Sequence, residues 1–146
     1  MPKSNDRRRP HHAAHTLFFP AAALYAAIIL PLSVYAIVSG RVIFPGLGNP
    51  LHHAHEMLFG FAPAVVAGFL INRVDQYRLW LLCGLWVASR FSFLLLPESF
   101  ITSLLNIGFA TLFVVTSAVP FLQSAKKWRN QIFAPTIITL GLALTV

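Results

Sequence analysis

Residues 16–39 pass without a single Asp, Glu, Lys or Arg. At ~1.5 Å of helical rise per residue, that run is long enough to cross a hydrocarbon core of about 30 Å. Further apolar runs follow at 50–71, 79–96 and 101–123, and none shows the period-2 alternation of a strand. Charged residues make up 10% of the chain and hydrophobic ones 57%. A soluble domain carries about 25% charged residues to cover its core, so this chain lacks the surface for water and suits lipid.

The runs give an all-α, polytopic transmembrane bundle of about five helices. Residues 1–15 form a polar tail with Lys3, Arg7, Arg8, Arg9, His11, His12 and His15, which Pro2 and Pro10 keep from helix. That tail is expected to be disordered. The transmembrane domain then occupies 16–146, with helices over 16–39, 50–71, 79–96, 101–123 and 132–146. Pro20 and Pro31 are expected to bend the first helix. Asn49-Pro50 reads as a helix start, with Asn as N-cap and Pro at the first helical position. The last run stops after about 22 Å of rise, short of a full crossing. No small-residue cleavage site follows the basic start, so the first apolar run is expected to be retained. Cys83, alone in an apolar stretch, reads as a packing residue.

The net charge of +7 comes from 11 Lys+Arg against 4 Asp+Glu. In a soluble protein that balance would point to nucleic acid. Here the cations sit where membrane topology places them, which argues against a nucleic-acid partner. With the N-terminus in the cytoplasm, the inner side holds Lys3, Arg7, Arg8, Arg9, Arg73, Arg78, Lys126, Lys127 and Arg129. The outer side keeps only Arg41, and Arg90 lies within a helix. The positive-inside rule therefore sets an N-in orientation.

Polar groups at membrane depth mark the candidate site. Glu56 lies a turn inside the second helix, Arg90 on the third and Asn106 on the fourth, all toward the outer side. A charge at such depth costs at least ~2.5 kcal/mol on insertion scales, so Glu56 and Arg90 are expected to face inward and pair. A purely structural ion pair is the plain alternative. Beside them stand His52, His53, His55 and Met57. Imidazole serves both metals and haem iron, and a thioether suits Cu(I). His53 and Met57 share a helical face, as do His52 and Glu56. His53 and His55 diverge by about 160° at ~3.6 residues per turn, and so would serve different centres or roles in a helix, and one metal only if the segment is unwound. Interfacial anchoring of the histidines is the alternative. Small residues Gly60, Ala64, Ala67 and Gly68 line the same helix beside Pro63, and are expected to bring a neighbouring helix close. The tail histidines lie on the opposite side of the membrane and cannot join this site.

The stretch His53-Ala54-His55-Glu56-Met57-Leu58-Phe59-Gly60-Phe61, continuing through Leu70, closely resembles the NnrS family. Leu17-Phe18-Phe19-Pro20, Leu85-Trp86-Val87-Ala88-Ser89-Arg90 and Trp128-Arg129-Asn130 add to the likeness. Ser89 stands where family members commonly have Gly, and Asn106 where many have an acidic residue. The resemblance implies a multi-pass protein of a bacterial inner membrane, linked to the nitric oxide response and nitrosative stress resistance. It implies haem and copper as cofactors, nitric oxide as a ligand, and no established catalytic turnover. His53, His55 and Glu56 are then the ligand cluster, with Met57 and His52 beside it. Arg90 is the charge partner and a candidate for haem propionates. The resemblance covers nearly all of this chain, which spans the first part of a longer family pattern. Assembly with the remaining family helices, or with further copies of the chain in lipid, is therefore expected. Two other readings compete: a transport or permease subunit for a metal ion or proton, and a truncated structural fragment without cofactor.

Overall fold

The computed structural model describes residues 11–12, 14–71 and 74–124, with side chains placed over 14–71 and 74–117. The expected fifth helix at 132–146 and the basic residues Lys126, Lys127 and Arg129 lie outside the described residues, as does Arg73.

Helix α1 spans His15–Ser39 and runs without interruption through Pro20 and Pro31. It ends at Gly40, whose φ of 66° is the left-handed stop that glycine adopts without a Cβ penalty. A 3-10 turn at Pro45–Leu47 leads to α2, Pro50–His55. The Asn49 side chain caps α2 by accepting from the Leu51 amide at 2.9 Å. The helical run expected over 50–71 is present through Leu70, but it is not α-helical throughout. A π-helical segment, Glu56–Phe61, separates α2 from α3, Ala62–Leu70. Pro63 supplies the physical reason: it has no N–H, and its ring crowds the carbonyl four residues earlier. The wider turn relieves that crowding, and Ala62 donates back to the Met57 carbonyl, five residues away.

Helix α4 spans Gln76–Leu95, so it begins three residues before the expected 79. The apolar run marks where lipid begins, whereas the helix continues into the polar boundary, where Arg78 lies 3.9 Å from Asp75. Pro97 lies in the turn before α5, Phe100–Ser124.

The tail departs from expectation at its inner end. His11–His12 (β1) pairs antiparallel with Val74–Asp75 (β2), and Ala14 donates to the Ile71 carbonyl at 3.2 Å. The helix then starts at His15. His11, His12, Ala14 and His15 are thus structured rather than disordered, because the return of the chain after α3 offers backbone partners at Ile71 and Val74–Asp75.

Three described helices are long and apolar enough to cross a membrane: His15–Ser39, Gln76–Leu95 and Phe100–Ser117. Their outer faces expose Leu24, Val38, Phe91 and Leu104, as lipid requires. The chain is a membrane protein. Inside, α1 packs on α3 and α4 on α5, around Phe18, Ala22, Ala64, Ala67, Trp86, Phe109 and Phe113. Gly60, Ala64, Ala67 and Gly68 are all buried. At Gly68 a Cβ would stand 2.7 Å from the Phe19 ring, so the absent side chain is what lets α1 lie so close.

Candidate functional site

Arg90 is the centre of a buried polar network. It donates from Nη1 to Glu56 Oε1 at 2.6 Å, from Nη2 to Asn106 Oδ1, and from Nε to Ser89 Oγ at 3.3 Å. Ser89 Oγ donates in turn to the Trp86 carbonyl at 2.8 Å. Glu56 and Ser89 are fully buried, Arg90 is 2% exposed and Asn106 8%. Three helical elements therefore converge on one guanidinium. Gly60 makes the room: a Cβ there would meet Arg90 Nη1 at 2.8 Å and Glu56 Oε2 at 2.9 Å. Its carbonyl accepts from Trp86 Nε1 at 2.8 Å, which ties the π-helical segment to α4.

The arrangement bears on the haem carboxylates that Arg90 could have bound. Each of its guanidinium nitrogens already donates within the bundle, and the residue is almost wholly enclosed. Three of its five N–H donors are thus taken up by the internal network. Glu56 Oε2, by contrast, is buried with no hydrogen-bond partner.

The histidines separate into two environments. His53 turns to α1, where its Nδ1 lies 2.9 Å from Ser33 Oγ. His55 turns to α4 and stacks on Phe93, with ring centroids 4.7 Å apart and planes 8° from parallel. His52, one turn before it, meets the same Phe93 edge-on at 5.5 Å. The Nδ1 atoms of His52 and His55 are buried without hydrogen-bond partners, and His55 Nδ1 lies 3.9 Å from Glu56 Oε1. His53 and His55 thus face different neighbours, in keeping with a helical start at Pro50. Met57 is half-buried and sits inside the π-helical segment, where the wider turn shifts the phase counted from His53.

These placements define what the donors can do. Among the described residues, no three or more His, Cys, Asp or Glu side chains are grouped so that they could hold a metal ion. His53, His55 and Glu56 are therefore not gathered into one closed shell. What the side chains do offer is imidazole presented singly at His53 and as a neighbouring pair at His52 and His55, the pair unpartnered at both Nδ1 atoms and followed in the chain by Glu56, whose Oε2 is also unpartnered. That donor set could hold haem iron or copper through single imidazoles, and does not fit a closed structural metal site. The tail residues His11 and His12 lie at the other end of the bundle, in the β1–β2 pair.

Ser33, Ser89, Trp86 and Phe93 contribute to this site without having been singled out for it from sequence. Ser33 could have been found as a polar side chain deep in an otherwise apolar run. Trp86 and Phe93 carry no such signal, since aromatic residues are common along α4.

A family model described as NnrS protein matches residues 11–146. No curated protein and no solved structure matches the chain.

Proposed function

The chain belongs to the NnrS family, and from that premise we propose that it binds haem and copper in a bacterial inner membrane and serves the nitric oxide response. One observation carries this reading: three histidines lie together on α2, and their rings divide between a hydrogen-bonded site and an unpartnered one. Histidines that merely anchored a helix at the headgroups would keep their ring nitrogens in water. Here two of them are buried at Nδ1 without a hydrogen-bond partner, and His55 Nδ1 lies 3.9 Å from Glu56 Oε1.

His53 would hold one centre, and His52 with His55 the other. When bound, haem iron and copper supply the metal centres at which nitric oxide binds. The protein's own contribution is to hold neutral imidazoles in fixed orientations at the outer side of the bundle. The Glu56–Arg90–Asn106 network lies directly beneath them and fixes the π-helical segment that follows. With the N-terminus in the cytoplasm, the histidines face the periplasmic half of the membrane.

The test is haem and elemental analysis of the protein extracted from membranes, together with its optical spectrum. A Soret band and bound copper are expected in the native chain. His53→Ala and His55→Ala should lose different cofactors, or lose them to different extents. Full haem and copper in both variants would reduce these histidines to interfacial anchors. Metal uptake into vesicles without a Soret band would favour the transport reading instead.

A further inference from the structure

Ser33 is 1% exposed in the middle of α1. Its hydroxyl lies 2.9 Å from His53 Nδ1 across the α1–α2 contact. A hydroxyl buried among apolar side chains costs free energy unless it is hydrogen-bonded. The contact joins an otherwise apolar helix to a histidine that we read as a metal ligand. His52 and His55 differ here: their Nδ1 atoms are buried with no hydrogen-bond partner, and Phe93 holds their rings by packing.

An imidazole can bind a metal through one ring nitrogen only if that nitrogen carries no proton. The hydrogen bond at the other nitrogen decides which tautomer is present. Two arrangements are compatible with 2.9 Å. If Ser33 donates to Nδ1, the proton sits on Nε2 and blocks it. If Nδ1–H donates to Ser33 Oγ, Nε2 is left with its lone pair free.

We propose that Ser33 is a positioning residue for His53. It accepts the Nδ1 proton, fixes the Nδ1–H tautomer, and so presents Nε2 as the metal-binding atom. This inference rests on the reading of His53 as a ligand, and it goes further by naming the binding atom and the residue on another helix that sets it. Histidines that ligate metals almost always donate their second nitrogen to an acceptor, commonly a carboxylate, backbone carbonyl or water, and the Ser33 hydroxyl is the acceptor in reach here. His52 and His55, lacking that hydrogen bond at Nδ1, are free to bind through either nitrogen that a ligand can reach.

Two measurements test the proposal, and they fail separately. The first needs no metal: nitrogen-15 chemical shifts of the His53 ring in the cofactor-free, detergent-solubilised chain. A proton on Nδ1 is expected, and a proton on Nε2 overturns the assignment. The second titrates the chain with haem and, separately, with Cu(I) under competition from a chelator. His53→Ala identifies which of the two His53 holds. Ser33→Ala should weaken that same ligand roughly 10- to 100-fold, the usual cost of losing an orienting partner. It should also shift the absorption spectrum of the bound centre, and Ser33→Thr should restore both. Unchanged affinity in Ser33→Ala, where His53→Ala has lost the ligand, overturns the role of Ser33 alone. Weakened affinity with an unaltered spectrum makes Ser33 a packing residue and overturns it too. Retention of both ligands by His53→Ala overturns the ligand reading, and this proposal with it.

Discussion

Glu56 and Arg90 form a 2.6 Å ion pair that is closed to solvent on both sides. Taking two charges out of water is costly, and the pair offsets that cost only while both partners remain. Glu56→Gln or Arg90→Met should each destabilise the chain by about 3–5 kcal/mol, since each leaves one charge buried alone. The double substitution removes both charges and should cost less than the two singles combined. Thermal unfolding in detergent, arranged as a double-mutant cycle, measures the difference, and simple additivity would show that the two charges do not act together. This part of the site was legible in the sequence, because Glu, Arg and Asn are rare at membrane depth and these three lie at similar heights on separate helices. The serines were harder to read. Small hydroxyl residues are ordinary in membrane helices, and whether Ser33 or Ser89 meets a partner depends on helix rotation, which spacing alone does not set.

At the scale of elements, the segment Glu56–Phe61 orients the site. Its wide turn changes the phase between the histidine-bearing α2 and the tightly packed α3, so the segment aims Glu56 at Arg90 while α3 keeps Ala64, Ala67 and Gly68 buried. A π turn also leaves carbonyls outside the regular ladder, and the Gly60 carbonyl takes Trp86 Nε1 at 2.8 Å. Trp86→Phe keeps most of the ring volume and removes that donor. The freed carbonyl is then buried without a partner, so the variant should lose about 1–3 kcal/mol in thermal unfolding. Stability equal to the native chain would mean that the wide turn does not depend on α4. The helix start at Asn49-Pro50 was readable, because capping is a local transaction between a side chain and the next amides. The π turn was not. Pro63 hinted at it, but a proline in a helix is accommodated in several ways, and the choice falls to packing against α4. For the same reason the apolar run located α4 in lipid but missed its first turn, which is helical and polar.

For the whole molecule, the described geometry sorts the chain into two ends. His11–His12 meets Val74–Asp75 at one, where β1 and β2 pair and Ala14 donates to the Ile71 carbonyl. The 40–49 connector lies at the other, where Gly46 packs against the backbone of Phe93 and Leu94 near the end of α4. The alternation follows from the helices themselves, but nothing in it says which end faces the cytoplasm. Charge does. Of the 11 Lys+Arg, Arg41 is the one on the connector side and Arg90 is spent inside the bundle. Cations resist translocation, so the end carrying Arg78 and the basic tail should stay inside. A reporter fused after Gly48 should therefore score as periplasmic, and one fused after Gln76 as cytoplasmic. Because the ends are fixed relative to each other, these two fusions orient every described helix at once. The reverse pattern would turn the bundle over and place His52, His53 and His55 at the cytoplasmic face. Any metal they hold would then be drawn from the cytoplasm, and the basic end would have crossed the membrane against its charge. The N-in result instead leaves the cations where they are cheapest to keep and opens the histidines to the outer side.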